Sequence, residues 1–133
     1  MSDPKEAAKL LAMARKDLQA MRALSAPEVA DVETFGFHAQ QAVEKALKAW
    51  LAAKGLLYPR SHDLDRLFDL LREEGVAVPP EFDALGILTD FGVAFRYEAY
   101  EESDEPFDRA QIIVQVERLL DHLAQLLRPA PSH

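Results

Sequence analysis

The chain contains no cysteine. That removes disulfide frameworks, thiolate metal sites and cysteine nucleophiles, and it suits a reducing compartment. Glycine is scarce, 5 in 133 residues, and no P-loop, dinucleotide fingerprint or nucleophile elbow is present. Runs of β-branched residues are sparse. No apolar stretch reaches the length of a membrane span, so no membrane partner is expected. The opening MSDPKEAAKL lacks a signal-peptide layout, and the expected location is the cytoplasm. Basic residues are in the minority: 15 Lys and Arg against 23 Asp and Glu leave a net charge of −8. Affinity for nucleic acid of arbitrary sequence comes mainly from phosphate neutralisation, so strong general nucleic-acid binding is not expected. A local basic patch is still compatible with that total, and an acidic surface suits a basic protein partner.

What the chain does have is aliphatic residues and alanine in helical spacing, which predicts an all-α fold. The length fits one domain, residues 1–128, followed by a flexible C-terminal tail at 129–133, where Pro129 and Pro131 cannot continue a helix. Five helical segments are expected. The first opens with Ser2 or Asp3 as cap and Pro4 in the first turn, and buries Leu11, Ala14, Leu18 and Met21. The second runs from about Asp31 to Lys54, with Gly55 as its stop. Ser61 or His62 caps the third, which carries Leu64, Leu67, Phe68 and Leu71 on one face. Pro80 or Glu81 opens a fourth helix, weakened at Gly86 and Gly92. These glycines mark either a contact between two subunits or close packing within one. The last helix starts near Pro106 and is expected to bury Ile113, Val116, Leu120, Leu123 and Leu127. Apolar seams and short connections point to an antiparallel up-and-down bundle of four main helices plus a shorter one.

The second helix holds the most informative residues. Gly36, Gln40, Val43, Leu47 and Trp50 recur at steps of four and three, the spacing of a buried seam. Two adjacent glutamines in such a seam need partners for their amides. Gln41, Lys45 and Lys48 form one polar row, and Gln40 with Glu44 forms the next. The cassette has two readings: a surface that binds a partner or positions a nucleotide phosphate, and an inter-helix hydrogen-bond network with solvated lysines. His62 and Asp63 likewise offer helix capping, or an anion site with Arg60 and Arg66. His122, beside Asp121, is read as facing solvent. His38, His122 and His133 make no metal set, and the paired acids at 73–74, 101–102 and 104–105 lack the spacing of a calcium loop. No metal site and no cofactor are expected.

FHAQQAVEKALKA at 37–49, the His62-Asp63-Leu64 that follows and the Phe95-Arg96-Tyr97-Glu98 further on resemble the HEPN family (higher eukaryotes and prokaryotes nucleotide-binding). The resemblance implies a HEPN-like helical bundle that associates as a homodimer. It also implies a small nucleotidyltransferase as partner and nucleotide as ligand, with this chain as toxin partner or accessory subunit. Ribonuclease members carry an arginine followed four to six residues later by a histidine, one to stabilise phosphoryl charge and one to move protons. Here Arg96 is present, but Glu101, Glu102 and Ser103 stand where that histidine would be, and no histidine occurs between His62 and His122. The chain therefore resembles the non-nuclease branch. No catalytic residue is assigned. Gln41, Lys45, Lys48, His62, Arg96 and Tyr97 are the expected nucleotide- or partner-binding residues, with Arg96 alternatively a partly buried arginine held by Glu44 or Glu98. The alternative function is a ribonuclease toxin of a toxin–antitoxin pair, with a degenerate motif and a histidine supplied from elsewhere. A dimer with no ligand is the third reading.

Overall fold

Asp3 accepts a hydrogen bond from the Glu6 N–H and Pro4 takes the first helical position, so α1 spans Pro4–Ala23. This start is seen in a computed structural model described over residues 2–92 and 105–128. α2, Val32–Ala53, is opened by Asp31, whose carboxylate accepts the Thr34 N–H at 2.8 Å. The hydrogen bonds with Thr34 hold that carboxyl below its ordinary value. Gly55, just past α2, takes the left-handed conformation (φ 73°) that favours a glycine stop. α3, Leu64–Glu73, is capped by Asp63, which accepts from the N–H groups of Asp65 and Arg66. Of the residues that offered a cap, the structure selects Asp63 over Ser61 and His62. Ser61 Oγ accepts the Asp63 N–H one step earlier, and the His62 ring is engaged elsewhere.

The fourth element departs further from expectation. Pro80–Phe91 is a 3₁₀ helix rather than an α-helix. Its buried residues are Phe82, Leu85, Leu88 and Phe91, a strict repeat of three. A helix with three residues per turn aligns that repeat on one face, whereas an α-helix would wind it around the barrel. Burial of four large side chains outweighs the poorer hydrogen-bond geometry of the tighter helix. The last helix, α4, spans Arg109–Leu127 with Asp108 as cap, three residues later than expected from Pro106. Its seam is Ile112, Val116, Leu119, Leu120 and Leu123, while Ile113 and Leu127 are only half-buried.

The element pairings define the bundle. The Asp3 N–H donates to the Ala52 carbonyl, joining the start of α1 to the end of α2, so these two run antiparallel. Arg109 at the start of α4 reaches Leu24 at the end of α1, so α4 is antiparallel to α1 as well. α2 lies at the centre and touches α1, α3, α4 and the 3₁₀ helix. Trp50, Phe35, Phe68, Phe82 and Met21 are its largest fully buried neighbours and members. The expected seam of α2 is buried throughout, Gln40 included. His122 is not a solvent-facing residue: its ring is half-buried, 5.2 Å from the Trp50 ring and 5.8 Å from that of Phe82. Gly86 and Gly92 serve packing within the chain. A methyl group at Gly86 would strike the Asp65 carboxylate of α3, and one at Gly92 would lie 3.0 Å from the Gln40 amide of α2. Among the described residues the fold is an all-α helical bundle without strands.

Candidate functional site

A carboxylate in the core demands partners, because desolvation disfavours its charge. Glu44 is such a group: its side chain is 7% exposed in the middle of α2. Helical spacing supplies two of its partners. Gln40, one turn earlier, donates its amide to Oε1 at 2.9 Å, and Lys48, one turn later, donates to Oε2 at 2.9 Å. The chain returning before α3 supplies the third, His62, whose Nδ1 lies 2.6 Å from Oε1. Burial pushes the Glu44 carboxyl upward, but the hydrogen bonds from Gln40, Lys48 and His62 outweigh it and leave it below its ordinary value. Glu44 is therefore an anion and only accepts, so His62 Nδ1 carries the proton it donates.

The network extends along α2. Gln41 donates to the Gln40 oxygen at 2.8 Å, and Gln40 also donates to the backbone carbonyl of His62 at 3.0 Å. The tandem glutamines thus satisfy one another and tie α2 to the loop before α3. A second acid, Asp17 of α1, accepts from Lys45 at 2.7 Å and from His38 Nδ1 at 3.1 Å. Asp17 sits in the buried stripe of α1 between Ala14 and Met21. An acid at such a position requires a cation opposite, and that was the available sequence signal for it. Both lysines of the cassette are partnered: Lys45 is 22% exposed and Lys48 14%. The inter-helix hydrogen-bond network is present, but its lysines are not solvated as that reading expected. Lys48 also lies 5.7 Å from the centre of the Tyr58 ring.

Of the expected binding residues, Gln41, Lys45, Lys48 and His62 gather on one polar ribbon over α2. Arg96 and Tyr97 lie outside the described residues. Gly92, the last described residue before them, is the one packed on the Gln40 amide. Arg60 and Arg66 are exposed, as is His62. The end of the ribbon that meets solvent is His62, with 66% of its side chain exposed.

Arg109 is the charged residue that sequence reasoning missed. It is buried at the start of α4, where its guanidinium donates to both oxygens of Glu105 at 2.9 and 2.7 Å. It also donates to the carbonyls of Leu24 and Ala30 at 3.0 and 2.8 Å and lies 5.4 Å from the Phe35 ring centre. The Glu105–Arg109 spacing is the only local hint; the two carbonyl acceptors come from the α1–α2 loop, far away in sequence. A groove of about 330 Å³ between α1 and α4, lined by Arg15, Arg22, Glu117 and others, lies apart from the ribbon. It gathers no buried titratable group, so the ribbon is the better candidate site. Among the described residues no group of three or more His, Asp or Glu side chains is placed to hold a metal ion.

A sequence model of the HEPN domain matches residues 7–126. No curated protein and no solved structure matches the chain. The matched span contains the whole polar ribbon and all five helices apart from their outermost residues, and the chain belongs to the HEPN domain family.

Proposed function

We propose that this HEPN chain is an accessory binding subunit of the non-nuclease branch, which dimerises, partners a small nucleotidyltransferase and contributes to holding nucleotide. Membership of the family supports a nucleotide- or RNA-related role. The finer reading is carried by one observation. The α2 cassette is a preorganised polar face, in which each lysine is held by an internal acid, Lys45 by Asp17 and Lys48 by Glu44. A face of that kind offers a rigid pattern of donors and acceptors to a partner. It does not offer the cation-rich track that an RNA backbone requires. The missing histidine after Arg96 points the same way.

The test is co-expression with a small nucleotidyltransferase as candidate partner, followed by sedimentation of the chain alone and of the mixture. A homodimer and a stable complex are expected, because a two-fold pair is the commonest way to bury a shared face. A chain that sediments only as a monomer and forms no complex would reject the proposal. The ribonuclease reading keeps one supporting observation: His62, held by Glu44 with its ring exposed, is a histidine outside the Arg96 segment. Metal-free RNA cleavage that vanishes in Arg96→Ala would establish that reading in place of the first.

A further inference from the structure

His62 is held more firmly than its exposure requires. Without it, the Glu44 carboxylate would still receive Gln40 on Oε1 and Lys48 on Oε2, and Lys48 would still neutralise its charge. The ring is 66% exposed and so adds little apolar burial. The network is therefore not built around a need for His62. The positioning runs the other way: Glu44 fixes the imidazole through Nδ1, and Gln40 fixes the backbone of the same residue through its carbonyl. Two anchors on one rigid helix restrict both the ring and the main chain that carries it. With Nδ1 occupied, Nε2 is the nitrogen left to act on anything outside.

We infer that His62 Nε2 is the contact point for a nucleotide phosphate, with Glu44 as the residue that positions the ring. The inference rests on the proposed nucleotide role and assigns it a residue. In the imidazolium form Nε2–H donates to a phosphate oxygen, and the Glu44 carboxylate behind the ring balances the added charge. The charged groups around it are Glu44 and Lys48 from α2, and Asp63 and Arg60 beside it in its own loop. Asp63 is engaged by the N–H groups of Asp65 and Arg66, and Lys48 by Glu44. From the 3₁₀ helix comes the Thr89 hydroxyl, which accepts the Leu64 N–H. A ligand anion therefore meets an imidazolium whose acidic neighbours, Glu44 and Asp63, are already engaged by hydrogen bonds.

The experiment uses the full chain with labelled histidine, alone and in complex with the nucleotidyltransferase. Imidazole resonances are followed by NMR while adenosine monophosphate or inorganic phosphate is added. The His62 resonances are expected to shift saturably while those of His38 do not. His62→Asn should weaken adenosine monophosphate binding by about tenfold or more, the worth of one charged hydrogen bond. It should leave the melting temperature nearly unchanged, because the side chain is exposed. Glu44→Gln should weaken adenosine monophosphate binding in the parent chain but not in the His62→Asn background, a coupling that a merely structural glutamate would not show. Saturable nucleotide binding with His62 unmoved, or with equal affinity in His62→Asn, overturns the inference and leaves the proposed function standing. A His62 shift caused by the partner protein but by neither phosphate compound also overturns it. Absence of nucleotide binding in both the chain and its complex removes the inference and the nucleotide part of the proposed function together.

Discussion

Two buried charges of this molecule are treated in opposite ways. Arg109 and Glu44 are each almost fully enclosed, with side chains 5% and 7% exposed. The partners of Arg109 are a carboxylate one turn away, two loop carbonyls and the face of Phe35, with the carboxylate side chain 14% exposed. It clasps the α1–α2 connection to the start of α4, and none of its partners is a largely exposed side chain like that of His62. Glu44 is satisfied by its own helix and then holds one further residue, which is exposed. A closed network is explained by the fold alone. A network that ends in an oriented, exposed imidazole is not, and this difference separates a clasp from a candidate site.

The comparison can be broken first at the clasp. Arg109→Ala leaves the Glu105 carboxylate and two loop carbonyls without their donor. A loss of about 3–5 kcal/mol of stability is expected, as for other broken buried pairs. Urea denaturation with an unchanged slope would measure it. A loss under about 1 kcal/mol would mean that the clasp is a surface contact and the contrast drawn above is mistaken.

Glu44 gives the next largest effect and a pH signature. Glu44→Ala removes the acceptor shared by Gln40, Lys48 and His62, and should cost about 1–3 kcal/mol. Its folded carboxyl lies below the ordinary value of 4.5. The unfolded chain therefore binds the proton more tightly than the folded one, and the group stabilises the fold above that value. This contribution is lost as the pH falls through the lowered folded value. Glu44→Gln should accordingly flatten the acid limb of the stability curve below about pH 4.5. An acid limb identical to that of the parent chain would show that another carboxylate governs it.

Asp17 sharpens the comparison at smaller scale. Asp17→Asn frees Lys45 and His38, side chains 22% and 33% exposed, at the edge of the ribbon, where about 1 kcal/mol is expected by equilibrium unfolding. If nucleotide affinity rises in this variant, Lys45 is a masked cation; if it is unchanged, the pair is scaffold. The smallest stability effect belongs to His62→Asn, within about 0.5 kcal/mol, as for surface substitutions. A much larger loss would place His62 with Arg109 among the structural groups and remove the difference between the two networks.

Much of the fold was legible before any coordinates. The caps at Asp3 and Asp31 and the seam of α2 follow from local rules: side-chain oxygens satisfy free N–H groups, and a period near 3.6 selects a buried face. The 3₁₀ helix was legible too, in the strict spacing of Phe82, Leu85, Leu88 and Phe91, but the glycines drew attention from that period. The cassette was visible as a set of polar residues in a buried seam, and its need for partners could be stated.

Which partners it found could not. Glu44 meets His62 because the loop after α2 folds back over it, and Lys45 meets Asp17 because α1 and α2 run antiparallel at that register. Helical periodicity assigns residues to faces, and composition assigns the helical class; both are properties of a few neighbouring residues. The pairing of polar groups 18, 28 or 85 positions apart depends on how whole helices dock. Docking is decided by packing summed over many side chains, and no short stretch of sequence carries that sum. The sequence by itself determined an acidic helical bundle with a polar row along its second helix. Only the tertiary structure decided that this row is neutralised from within and ends at His62.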